Sequence, residues 1–365
     1  MHLYVHVPFC ARRCSYCDFA IAVRRAVPTD AYVDAVAREW QAWQAHPAWI
    51  GSPTIDTVYF GGGTPSRLDP SGIARLLDRI GADRPIAPSA EITLEANPDD
   101  VTPESAAAWV RAGVNRVSLG TQSFDPAALA WMHRTHTAEQ VPRAVAILRA
   151  AGIANLSLDL IFALPSALGR DWRRDLDAAL ALAPEHLSLY GLTVEPHTPL
   201  GRWTIRGDAV PAADDAYAAE FLDFAGRLRA EGWDHYEVSN AARPGFRSRH
   251  NFAYWARAPF MGMGPSAHSG FGNRRRWNIR EWEAYRAASA AGRTVVAGEE
   301  ELGPEALALE EVYLGLRTRE GLPAGRLEPA VVTRWETERW AETAGGRLRL
   351  TPEGWLRLDA LAVFS

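Results

Sequence analysis

Cysteine is scarce in this 365-residue chain and missing from all but one place. Cys10, Cys14 and Cys17 stand together in HVPFCARRCSYCDFA, and no other cysteine follows. An odd count in one tight group argues against a disulfide framework. Long apolar runs are missing too, since LDLIFALP is strand-sized and falls well short of a membrane span. Met1 to Val7 has neither the basic start nor the apolar core of a secretory signal. Nor is there a large excess of charge. With 39 basic and 44 acidic residues the net charge is −5, which gives no general attraction to nucleic acid or an anionic membrane. The run Arg274, Arg275 and Arg276 is too local to change that and reads as a solvated loop. These absences predict a cytosolic protein with no transmembrane segment and no nucleic-acid partner, whose thiols stay reduced and available to a metal.

What is present is a repeating alternation of short β-branched strands and punctuated helices. LYVHV (3–7), IDTVYF (55–60), AEITLE (90–95), NRVSL (115–119), NLSLDLI (155–161) and HLSLYGL (186–192) read as strands. Asp69-Pro70 opens a helix that stops at Gly81, and Thr102-Pro103 opens another that ends at Gly113. Thr137 begins a third, followed by Gly152. Six such units predict an α/β fold with parallel strands joined by right-handed crossovers. Six are fewer than the eight of a closed barrel, so a partial, open (β/α)6 TIM-like barrel is expected over residues 1–235, with a wide lateral mouth. Residues 236–280 read as a loop-rich segment packed on it. Residues 281–365 read as a mainly helical, winged-helix-like unit.

The spacing C-x3-C-x2-C lets three thiolates reach three corners of one iron–sulfur cubane. A closed [4Fe–4S] site needs four ligands, so one iron would stay open to a substrate or cofactor. A three-cysteine zinc site with a histidine is the alternative, although His6 lies at the wrong spacing for a standard finger. The other strand ends carry matching groups. GGGTP (61–65) follows the second strand, Glu95 ends the third, Gln122 follows the fourth, Asp159 lies in the fifth and Gly191 ends the sixth. In a barrel of this kind the strands' C-terminal ends build the active site.

The cysteine motif directly after the first strand resembles the radical S-adenosylmethionine (SAM) superfamily. That resemblance implies a [4Fe–4S] cluster held by Cys10, Cys14 and Cys17, SAM on the open iron, and an electron donor for the cluster. A closer resemblance, from LYVHVPFC to the tail, is to the oxygen-independent coproporphyrinogen III oxidase family. By that resemblance, Tyr4 and Tyr16 would flank the cluster and its SAM. Gly62, Gly63 and Thr64 would touch the methionine portion. Glu95, Gln122, Arg134 and Asp159 would hold SAM polar groups, and Gly191 would lie against the adenosyl part.

Within that family the chain departs from the true oxidases. Phe19 stands where they have a fourth cysteine, and no long segment precedes the first strand. Both departures resemble the heme-chaperone branch. RHNFAYW matches that branch's HNxxYW motif, in which His250 would ligate heme iron and Tyr254 and Trp255 would stack on the porphyrin. From the residues alone, a capped turn with His250 bonded locally is the other reading. His268, in GMGPSAHS, is the second candidate for that ligand, with a structural histidine the preferred reading. The function these resemblances imply is a heme chaperone that delivers heme to an acceptor protein. The alternative is oxidative decarboxylation of coproporphyrinogen III.

Overall fold

A computed structural model of the chain describes residues 1–49 and 51–363. Ile50, and Phe364 and Ser365 at the end of the tail read as helical, lie outside the described residues. Six parallel strands form the centre: β1 His2–Val7, β2 Ile55–Gly62, β3 Ile86–Ala96, β4 Arg116–Gln122, β5 Asn155–Phe162 and β6 His186–Gly191. They pair in sequence order, for example Tyr4 with Tyr59, Leu94 with Val117 and Asp159 with Ser188. This is the expected six-unit partial barrel, and all six expected strands occur within it.

The connecting helices start where the punctuation places them. Asp69 accepts from the Ser71 N–H at 2.9 Å, with Pro70 at the first helical position of Pro70–Asp83. Thr102 and Ser105 form a reciprocal capping box at the head of Pro103–Arg111. The period of two in the strands then divides the barrel wall. Leu3, Val5 and Val7 of β1 join the main core with Tyr32, Val36 and Trp40 of the helix Thr29–Trp43. The alternate residues, Tyr4 and His6, face the other way, into the barrel. The inner face is unusually polar. Glu91, Thr93, Arg116, Ser118, Ser157, His186 and Ser188 are all buried there.

The segment read as loops is more ordered than its sequence suggests. β7 Asp234–Glu237 and β8 Asn240–Ala242 close one edge of the sheet beside β6. On the other edge, β9 Phe260–Met263 runs parallel to β1, and β10 His268–Phe271, β11 Arg274–Asn278 and β12 Val296–Glu301 add antiparallel strands. The sheet therefore has the order β12-β11-β10-β9-β1-β2-β3-β4-β5-β6-β8-β7. Glycines hide these strands from a reading based on alternation. A Cβ at Gly262 would meet the His268 carbonyl, and one at Gly264 would meet the His6 carbonyl. RHNFAYW is itself a helix, Arg249–Trp255, capped by Ser248.

The last part combines the helices Pro304–Arg317, Pro329–Thr337 and Leu358–Val363 with a small sheet ordered Leu322–Pro323, Arg347–Leu350, Ala341–Ala344. No helix among the described residues is long and apolar enough to cross a membrane.

Candidate functional site

A cavity of about 360 Å³ opens at the C-terminal ends of the six parallel strands. Cys10, Cys14 and Cys17 all line it, on the loop that follows β1. Among the described residues no group of three or more His, Cys, Asp or Glu is gathered for a single metal ion. The thiols share one wall instead. Their loop is pinned at several points. Ser15 donates from its N–H to the Met132 carbonyl and from its hydroxyl to the Trp131 carbonyl, at 3.3 and 3.2 Å. The Arg24 N–H bonds the Cys10 carbonyl at 3.0 Å.

Two glycines let backbone approach the thiols. Gly62 has φ of +118°, and a Cβ there would strike the His6 ring at 2.7 Å. A Cβ on Gly63 would sit 2.9 Å from the Cys10 sulfur and 2.7 Å from the Pro8 carbonyl. The Thr64 hydroxyl donates to the Cys10 Sγ at 3.4 Å. Burial pushes the Cys10 thiol up, with that hydrogen bond opposing, and pushes Cys17 up to about 11. Both sulfurs are therefore neutral near pH 7 without a metal, and metal coordination would release their protons.

Arg134 spans the cavity's side. Its Nη1 lies 3.6 Å from the Cys14 Sγ, and its Nη2 donates to Asn97 Oδ1 at 2.6 Å and to the Gly120 carbonyl at 3.0 Å. Its Nε is buried with no partner. A held cation with an orphaned donor beside a cavity suits a carboxylate ligand. Two half-buried carboxyls line the same cavity. Glu95 accepts from the Tyr59 hydroxyl at 2.9 Å and the Gly62 N–H at 3.0 Å, and burial raises it to about 7 against those bonds. Asp159 is also raised by burial, while the hydroxyls of Ser188, Ser118 and Ser157 pull the other way. Gln122, with φ of +65°, and Gly191, Tyr16 and Thr64 complete the lining.

The structure thus brings together Cys10, Cys14, Cys17, Tyr16, Gly62, Gly63, Thr64, Glu95, Gln122, Arg134, Asp159 and Gly191 around one cavity. It does not bring Tyr4 or His250 there. Tyr4 is one layer below, with its hydroxyl 3.0 Å from His6 Nδ1 and its ring stacked on Tyr59. His250 is 1% exposed and both ring nitrogens are engaged, Nδ1 with Thr57 Oγ1 at 2.7 Å and Nε2 with the Tyr254 hydroxyl at 2.8 Å. Its backbone N–H and that of Arg249 donate to the two oxygens of Glu91. Burial lowers the imidazole to about 3, so it stays neutral. In this packing His250 anchors a helix, and both of its ring nitrogens are hydrogen-bonded to neighbouring side chains.

Asn97, Ser118 and Tyr59 were not singled out from the sequence. Asn97 orients Arg134, and Ser118 donates to both oxygens of Asp159 at 2.9 and 3.0 Å. A polar residue two beyond Glu95, just before Pro98, was the available signal for Asn97.

An open parallel barrel with three thiols on the loop after its first strand is the arrangement of radical SAM proteins, and the sequence model described as "Radical SAM superfamily" matches residues 4–179. The fold agrees with the solved structure of the radical SAM enzyme coproporphyrinogen III oxidase (HemN) from Escherichia coli. The TM-score is 0.80 at 20% identity, covering 99% of this chain and 88% of that one. The heme chaperone HemW of Mycobacterium tuberculosis is 40% identical over 365 residues, 98% of this chain and 93% of that protein. The Escherichia coli heme chaperone HemW is 37% identical over 269 residues, 73% of this chain and 69% of that protein. The chain belongs to the HemW heme-chaperone family of the radical SAM superfamily.

Proposed function

We propose that this chain is a cytosolic heme carrier that binds heme and passes it to an acceptor protein, with a [4Fe–4S] cluster and SAM in the barrel cavity. Cys10, Cys14 and Cys17 would hold three irons and leave the fourth open. The observation that carries the reading is the meeting of those thiols with Arg134 and its unpartnered Nε around one cavity, which the half-buried carboxyls Glu95 and Asp159 also line. When bound, the cluster supplies one electron at an open iron, which an external electron donor must replenish.

The chain's own residues do the rest. Arg134, kept rigid by Asn97 and Gly120, presents donors to the carboxylate of SAM. Glu95 accepts from the ligand's amino group once it has lost its own proton. Gly62 and Gly63 let backbone touch the methionine portion, where any side chain would collide with His6 or Cys10. Tyr16 and Tyr190 supply aromatic surface beside Gly191 for the adenosyl part. Phe19, 63% exposed, puts a phenyl ring at the mouth where the oxidases have a fourth thiol.

The test is a pair of anaerobic assays on the cluster-reconstituted chain. Hemin titration is expected to give a saturable absorption change. Coproporphyrinogen III with SAM and a reductant is expected to yield no protoporphyrinogen. Turnover to protoporphyrinogen would replace the carrier reading with the oxidase.

A further inference from the structure

A second cavity, of about 410 Å³, is lined by His6, whose ring is also packed closely against Gly62 of the cluster cavity. Tyr4 and His6 of β1 form one wall, Tyr254 and Trp255 of the capped helix another, and the β9–β10 hairpin a third. The helix Pro304–Arg317 closes it with Glu310 and Leu314. Its surface is mostly apolar, with Tyr4, Tyr254, Trp255, Phe260 and Phe271 among the lining, and Gly270 and Gly272 leave room where side chains would otherwise fill it.

Two histidines face this cavity, and they differ in one respect that decides their roles. His6 is bonded at both nitrogens, to the Tyr4 hydroxyl at 3.0 Å and the Ala20 carbonyl at 2.9 Å. His268 is exposed, and among the described residues its ring has no hydrogen bond. It makes only a stacking contact with Trp277 at 6.0 Å. Two guanidinium groups stand at the rim. Arg257 meets Glu310 at 3.0 Å and Glu311 at 3.6 Å, and Arg275 also bonds Glu310. With five N–H donors each, both arginines keep donors for further carboxylates.

The geometry points to this second cavity as the seat of the tetrapyrrole cargo, with His268 as the imidazole facing the iron. Tyr254 and Trp255 offer the flat faces, and Arg257 and Arg275 take the ring's carboxylates. The inference rests on the heme-carrier reading above, and it takes His268, whose ring has no hydrogen bond among the described residues, over His250, whose ring nitrogens are both engaged.

Hemin, and separately metal-free protoporphyrin, are titrated into the cluster-reconstituted full chain and its H268A, H268C and H250Q variants. SAM binding in the first cavity and far-UV circular dichroism report whether each variant is folded. H268A is expected to bind hemin at least tenfold more weakly while holding metal-free protoporphyrin as the wild type does. H268C should bind hemin with its Soret band moved to a thiolate-ligated position, and H250Q should keep the wild-type band. Wild-type affinity in H268A with an unmoved band in H268C overturns the assignment and leaves the carrier reading standing. A wild type that takes up no hemin removes both.

Discussion

Replacing Cys14 by alanine is expected to abolish cluster assembly. Anaerobic reconstitution of the wild type should give about four irons per chain, and the variant should fall below about one, with loss of the visible absorbance. The physical reason is that three thiols have no reserve. No fourth cysteine exists in the sequence, and the nearest side chains on that wall are Arg134 and Thr64, neither of which can replace a thiolate. The Cys14 loop is held by Ser15 bonds to Trp131 and Met132, so the fold should survive the substitution. Unchanged far-UV circular dichroism together with lost iron is the expected pair of results. Iron retained near the wild-type level would mean that the thiols are not the ligands.

The second large effect concerns Glu95 and pH. Burial lifts this carboxyl to about 7, although Tyr59 and the Gly62 N–H favour its charged form. Without ligand the neutral form suits the fold. The stability from Glu95 is present in full below its ordinary value near 4.5, and it is lost as pH rises towards 7. A ligand carrying an ammonium or sulfonium group reverses the preference, since it needs the carboxylate. SAM affinity should therefore climb up to about tenfold per pH unit between pH 6 and 7 and flatten above that. E95Q should bind about 10- to 100-fold more weakly at pH 8 and show a slope shallower by about one proton. Equilibrium dialysis with labelled SAM across that range measures both. Equal slopes in the two proteins would separate Glu95 from the ligand.

The parts of this site that follow local rules were legible in the sequence. Strand alternation placed Glu95 and Gly191 at strand ends and Asp159 within the fifth strand, and caps such as Asp69 and Thr102 located helices between strands. The cysteine spacing needed no tertiary information at all. What escaped was decided by residues far away in the chain. The residues around His250 read as a capped turn with the imidazole bonded locally, and its role as a heme ligand came from the family resemblance. Its partners Thr57 and Glu91 come from β2 and β3, and nothing near residue 250 announces them. Tyr4 was expected beside the cluster, but it stands two residues short of His6 on the inner face and so belongs to the second cavity. The strands from 260 to 301 were obscured by glycines whose purpose is close contact, as where Gly262 meets the His268 backbone. His268 itself stood second to His250 for a related reason: a lone histidine in a glycine-rich stretch carries no local sign that its ring is left unbonded.

The central claim is that the three-thiol site leaves one iron open to SAM. The direct measurement is the low-temperature electron paramagnetic resonance spectrum of the reduced, reconstituted chain with and without SAM. With one iron open, the cluster signal should shift its g-values on adding SAM, and the shift should be weakened in the Arg134→Leu variant. A cluster signal that SAM leaves unchanged at saturating concentration would contradict it.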